Sequence, residues 1–280
     1  MAAAHSNKNE KTTEQLMAEI RARLEWIGVD FLDDSKDEED VVEGGKVDGK
    51  SVKLLDYGCG TGMVSRVSPL FSYSNPVFAV VSEDADLMLI PMLTSNKQAF
   101  APYITQAVGI DISPNMVHEY NTWSSTQSLT SKMSAFVGNL LDPADSSPSA
   151  FEGEDFHNFD FAAVGIGFHH FEDPVLAATR LADRLKKGGV LLILDFLVDE
   201  KTGSKGNGNG FGQHGHGNGG GAIAKMGKRR GFGQDEMKLM FESACMGMDF
   251  GFEVIAKGAV FETPKHSMAK DVFMARGTKA

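Results

Sequence analysis

The residues best placed to do chemistry lie in one short run, Asp56-Tyr57-Gly58-Cys59-Gly60-Thr61-Gly62. It follows the apolar residues Val52, Leu54 and Leu55 directly, so it reads as a strand ending in a glycine-rich turn. Glycines at every second position let the backbone take positive φ angles and come close to a ligand. The N–H groups of such a turn, and of a helix starting after it, favour an anionic group. The competing reading is a dinucleotide loop, Gly-x-Gly-x-x-Gly. Its third glycine would fall on Met63 counting from Gly58, or on Ser65 counting from Gly60, so a pyrophosphate fits this run poorly. Cys59 has no identified histidine partner and reads as a small spacer rather than a nucleophile.

A second acid, Asp111, lies in the apolar run 107–112 and stands 51 positions after Gly60. Nucleotide-binding folds place a ribose-binding acid about 20 residues beyond the glycines. Segment 67–98 accounts for the excess: it carries Pro69, Pro76 and Pro91, shows no helical period, and stands where parallel neighbouring strands require a crossover helix. Without its 32 residues the chain reads GCGTGMVSR-AFAPYITQAVGIDIS, and Asp111 lies 19 positions after Gly60. Val67-Ser68 can be encoded by GTGAGT, a splice-donor sequence, and Gln98 by CAG, an acceptor end. The segment is therefore expected to be a translated, in-frame intron; the other reading is a lineage-specific loop. His169 and His170 follow a further apolar run, 159–167. Either could act as a general base toward a hydroxyl, since imidazole titrates near neutrality. The alternative is a hydrogen-bonded pair that shapes the loop.

Positioning these residues takes an alternation of strands and helices. Apolar runs at 52–57, 107–112, 135–140, 159–167 and 190–198 predict strands. Ser113-Pro114 and Asp173-Pro174 each predict a helix start, a polar N-cap followed by a proline whose missing N–H is no loss there. The second of these helices is expected to run through Leu176, Leu181 and Leu185 to a stop at Gly188-Gly189. After it, a helix over 235–246 precedes strands over 252–261 and 271–275, close enough in sequence to pair as an antiparallel hairpin at the sheet edge. The expectation is an α/β, Rossmann-like, seven-stranded, mostly parallel sheet with helices on both faces. Leu16, Ile20 and Leu24 predict an amphipathic helix over 13–27, followed by an acidic linker over 33–50. Residues 1–50 are thus read as an N-terminal helix and linker, and 51–280 as one domain, interrupted at 67–98 and by a Gly-rich flexible loop at 201–233. His214 and His216 in that loop have no nearby Cys and make a poor ligand set, so no metal is expected.

With these motifs in place, LLDYGCGTG, VGIDIS and LKKGGVLLILDF resemble three motifs of the class I S-adenosylmethionine (SAM) dependent methyltransferases. FDFAAVGIGFHHFEDP resembles the fourth-strand region of the branch related to ubiquinone and menaquinone biosynthesis methyltransferases. The resemblance covers about residues 52–66 and 99–200, and its motifs specify the cofactor rather than the substrate. It implies that Asp56, with the backbone of Gly58, Gly60 and Gly62, holds the methionine moiety, that Asp111 accepts the ribose hydroxyls and that Ile112 packs on adenine. It places Asn139 and Leu140 at the adenine, with Asn139 standing where the family often has Asp. It sets the backbone of Gly165 beside the methionine end and Tyr57 near the sulfonium or in plain packing.

The net charge of −11 opposes binding to nucleic acid through phosphates. Two cysteines imply no disulfide framework and fit a reducing compartment. Neither a secretory signal nor an apolar run long enough to span a membrane is found, so the expected location is the cytoplasm, with the nucleus also open. The expected activity is methyl transfer from SAM to a small-molecule acceptor. The alternatives are a non-catalytic SAM-binding protein and an NAD-dependent oxidoreductase. The oligomeric state is not read from the sequence.

Overall fold

The strands are apolar on both faces, and this dictates a sheet buried between two layers of helices. The computed structural model describes residues 2–32, 41–42, 46–47, 50–64, 99–145, 147–198, 230–262 and 267–280. Its main sheet contains β1 (Lys53–Tyr57), β2 (Gln106–Asp111), β3 (Met133–Val137), β4 (Phe159–Gly165), β5 (Leu185–Phe196), β6 (Met248–Glu262) and β7 (Ser267–Thr278). Their spatial order is β3-β2-β1-β4-β5-β7-β6. The first five are parallel, and β7 pairs antiparallel with both β5 and β6. The C-terminal hairpin thus forms as expected, with β6 at the edge and β7 between it and β5. Residues 41–42 and 46–47 pair separately as a short antiparallel ladder.

Strand alternation splits the core in two. Leu54, Phe161, Ala163, Leu192, Leu194 and Met274 face a layer formed by α1 (Ala2–Arg21), α2 (Leu24–Ile27) and α3 (Pro114–Thr126). Leu55, Ala162, Val164, Leu191, Ile193 and Phe273 face α4 (Pro174–Arg184) and α5 (Gln234–Ser243). Leu16, Met17, Ile20 and Ile27 lie in the same core as the sheet. α1 is fastened to β6 where the Thr12 hydroxyl donates to the Val260 carbonyl (2.7 Å) and Arg23 Nε donates to Glu253 (2.8 Å). The single helix expected over 13–27 is two helices, closed by Gly28 in a left-handed conformation at φ 81°.

Both proline-marked helix starts form. Ser113 Oγ accepts from Met116 N (3.4 Å), and Asp173 Oδ1 accepts from Leu176 N (2.9 Å). The expected helix stop at Gly188-Gly189 is corrected: α4 ends at Arg184, and the glycines lie inside β5. Gly188 has φ 74°, the register against β4 shifts beside it, and its N–H donates to the Lys279 carbonyl (3.0 Å). A glycine in a strand marks such an irregularity. The third strand runs over Met133–Val137 rather than to 140, and Gly138 after it lies against the Phe151 ring, where a Cβ would approach to 2.1 Å.

Segment 67–98 lies outside the described residues, as do 199–229 and with them His214 and His216. The last residues of the expected loop at 201–233 belong to the fold: Phe232 is fully buried and bridges Leu197. Among the described residues no helix is long and apolar enough to cross a membrane.

Candidate functional site

The strand order reverses direction between β1 and β4, so the carboxyl ends of these strands flank a crevice of the kind in which open α/β sheets bind ligands. The glycine loop opens there. Gly58, Gly60 and Gly62 have φ values of 64°, 52° and 97°, all in the region that L side chains rarely adopt. Gly58 N donates to the Ile110 carbonyl (2.8 Å), and Gly60 N donates to Asp111 Oδ2 (2.8 Å). Asp111 Oδ1 also accepts from Ser113 N (2.8 Å). The carboxylate thus joins the glycine loop to the start of α3, and the loop and acid separated by 51 positions meet directly. Cys59 is buried, and its Sγ would be 2.9 Å from a Cβ on Gly109, so it packs on β2 as a spacer.

Beside Asp111 the surface is apolar. Ile112 is 71% exposed, Val137 49% and Phe136 40%, at or just beyond the carboxyl ends of β2 and β3. Phe136 and Val137, successive in β3, point to opposite faces, and Phe136 packs edge-on against Phe156 at 5.1 Å.

Asp56 is 1% exposed and engaged within the fold at the carboxyl end of β1. Tyr57 is buried beside Asn139, Leu140 and Phe171. Its hydroxyl donates to Asn139 Oδ1 (3.2 Å) and accepts from Leu140 N (3.1 Å), and its ring packs on Phe171 at 5.6 Å. Burial pushes the phenol up to about 12, and the nearby Asp111 charge adds to this. Tyr57, Asn139 and Leu140 therefore form one cluster, in which the Leu140 amide is already taken. Gly165 is needed for packing: a Cβ there would lie 2.5 Å from Val64 and 2.8 Å from Met63. Residues 60–64 form turns, not the first turn of the helix expected after the glycines.

His169 and His170 share a 3-10 turn after β4, Phe168–His170. His169 Nδ1 lies 2.7 Å from Asp195 Oδ1, and His169 N donates to Asp195 Oδ2 (2.8 Å). The two imidazole rings lie 4.0 Å apart. Asp195, fully buried near the end of β5, is the residue that sequence reasoning passed over. Its signal was a single acid inside the apolar run Leu191-Leu192-Ile193-Leu194-Asp195-Phe196.

A family model described as a methyltransferase domain matches residues 12–237. The chain belongs to this family. An uncharacterized methyltransferase of Schizosaccharomyces pombe is 26% identical over 147 residues, 52% of this chain and 39% of that protein. The chain thus spans about two fifths of the length of the curated relative it matches. Among solved structures, the YcgJ protein from Bacillus subtilis is 14% identical, covering 82% of this chain and 92% of that one with a TM-score of 0.47. Magnesium protoporphyrin IX methyltransferase from Synechocystis PCC 6803, solved with bound SAH, is 12% identical over 98% of this chain and 86% of its own, with a TM-score of 0.46. In this methyltransferase domain the glycine loop, Asp111 and the exposed Ile112 lie at the carboxyl ends of β1 and β2.

Proposed function

We propose that this methyltransferase-family chain transfers a methyl group from SAM to a small-molecule acceptor. The observation that carries the reading is the contact between Gly60 and Asp111 beside the exposed Ile112. Three positive-φ glycines let a ligand approach the backbone, Asp111 would accept from ribose hydroxyls, and the exposed Ile112 would pack on a base. The residues present fit the cofactor at its nucleoside end: Asp111 would hold the ribose, while Ile112 and Val137 would cover the adenine. Asn139 would add a polar contact, and the backbone of Gly58 and Gly60 would hold the methionine end. When bound, SAM supplies an electrophilic methyl on a sulfonium. The chain's own task is then to orient the acceptor in line with it, and orientation supplies much of the rate of such a displacement.

Calorimetric titration of the full chain tests this. SAM is expected to bind and NADH not, and Asp111→Ala is expected to abolish SAM binding. Binding of NADH instead would overturn the reading. Product analysis with methyl-labelled SAM and a metabolite extract then names the acceptor. The net charge of −11 argues for a small molecule over nucleic acid, and two free cysteines fit a reducing cytoplasm.

A second reading, a SAM-binding protein without turnover, is favoured by the turns at 60–64 and by Met63 and Val64 filling the space over Gly165. We trace both to segment 67–98, which we propose is a retained intron. Val64 and Phe100 are buried in one core, and they fall at helical i and i+4 positions once the segment is removed. A helix through 62–66 and 99–101 would then run into the 3-10 turn Ala101–Tyr103, where Pro102 stands.

A further inference from the structure

We propose that His169 and Asp195 form a proton-abstracting pair, and that the methyl acceptor is therefore a hydroxyl compound. This rests on the methyl-transfer reading and adds the acceptor's chemical class. Asp195 is a carboxylate with no exposed surface, set among Leu194, Phe196 and Ile193 in β5. Burying such a charge costs several kcal/mol unless donors surround it. Three do: His169 N, His169 Nδ1 and Phe196 N, the last at 2.7 Å from Oδ1. Since the carboxylate only accepts, Nδ1 must carry the imidazole proton, and the lone pair of the neutral ring is left on Nε2. Among the described residues no hydrogen bond is made to Nε2, and the His169 side chain keeps 9% of its surface exposed.

The turn that presents this nitrogen is held under strain. Ile166, β-branched and lying between Gly165 and Gly167, has φ 49°. Such a conformation persists only where the surroundings over-determine it, and it concentrates at functional sites. Ile166 N donates to the Leu194 carbonyl (2.8 Å) and His170 N to the Gly167 carbonyl (3.0 Å). With the two Asp195 bonds, these hold the turn to β5 at the carboxyl edge of the sheet. The titratable and charged groups facing His169 are Asp195 from β5 and His170 from its own turn. Behind the Phe196 ring, itself 5.1 Å from His169, stands Lys270 of β7.

In the step, the acceptor O–H gives its proton to His169 Nε2 as the oxygen lone pair forms the bond to the methyl carbon. The carbon–sulfur bond breaks with its electron pair to sulfur, and the imidazolium, held by the Asp195 carboxylate, later releases the proton to water. His169 is the catalytic residue and Asp195 positions it.

Nitrogen-15 NMR of histidine-labelled full-length protein reads the tautomer directly. Above neutral pH, His169 is expected as Nδ1–H in the wild type and to shift toward Nε2–H in Asp195→Asn. A wild-type Nε2–H tautomer overturns the proposal. In parallel, methyl-labelled SAM is incubated with a small-molecule extract. Incorporation is expected to appear in O-methyl products. His169→Gln should lower it by about 100-fold or more, with SAM affinity by calorimetry held within about twofold. Asp195→Asn should lower it by at least about tenfold, and Asp195→Glu should recover part of the loss. Label on nitrogen, sulfur or carbon, or wild-type turnover by His169→Gln, overturns the pair. If Asp195→Asn melts, the wild-type tautomer and His169→Gln carry the test. If wild-type protein binds SAM but transfers no label, the methyl-transfer reading fails, and the tautomer still decides the pair.

Discussion

The chain leaves its sheet at two places, on unequal terms. After β5 it departs beyond Val198 and returns through Phe232, whose N–H donates to the Phe196 carbonyl (3.0 Å) while its own carbonyl accepts from Val198 (3.1 Å). Exit and entry are hydrogen-bonded to each other, so whatever lies between them closes a loop whose ends are already held. The length of such a loop matters only logarithmically. Between β1 and β2 no β-bridge joins the flanks among the described residues. Val64 and Phe100 are both core residues of the crossover, and the residues that connect them stand where a helix is required. Tolerance of an insertion thus depends on whether the flanks are tied to each other, more than on the size of the insertion.

The comparison breaks most easily by deleting each segment in turn. Removing 67–98 is expected to raise SAM affinity by about tenfold or more and to raise the melting temperature. Replacing 201–229 by a short Gly-Ser bridge should leave SAM affinity within about twofold. Equal responses in calorimetry and thermal melts would overturn the contrast. Next in size is Gly60→Val, in both the full and the deleted chain. A β-branched residue at φ 52° costs about 1–2 kcal/mol, and the lost approach to Asp111 should cost at least about tenfold in SAM affinity.

Tyr57 then asks whether the glycine loop is held independently of segment 67–98. Its phenol titrates at about 12 in the fold, against 10.0 for an unperturbed tyrosine. The stability it contributes is therefore complete below pH 10 and is lost as pH rises toward 12. The loss is up to roughly 2–3 kcal/mol, and Tyr57→Phe should flatten that part of a pH series of urea melts. Smallest are the caps of the uninterrupted helices. Asp173→Ala on α4 should cost about 1 kcal/mol. Ser113→Ala should cost less, because its bond is long at 3.4 Å. A larger loss at Ser113 would show that the interrupted side leans on α3.

Much of this architecture can be read in the sequence because local chemistry and the global fold agree there. Ser113-Pro114 and Asp173-Pro174 start helices, and three alternating glycines make the positive-φ turn. The reading fails where a distant residue decides. Gly188 and Gly189 look like a helix stop, but Lys279 and β4 recruit them into a strand. Gly138 must be glycine because the Phe151 ring packs against it. In the site, Asp111 is legible by its spacing. The engagement of Asp56 within the fold and the turning of Tyr57 toward Asn139 are tertiary outcomes that no spacing reveals. Asp195 was visible as an odd charge, yet its partner 26 positions away was not.

The placement of β7 between β5 and β6 has a consequence for synthesis. A ribosome delivers β6 first, but β6 has no seat in the sheet until Ser267–Thr278 has emerged and paired with Val190–Phe196. Until then the nascent chain carries β5 as an unpaired apolar edge, open to wrong partners. A message cut short upstream of residue 267 would thus yield a chain with every residue of the proposed SAM site and a sheet that cannot close.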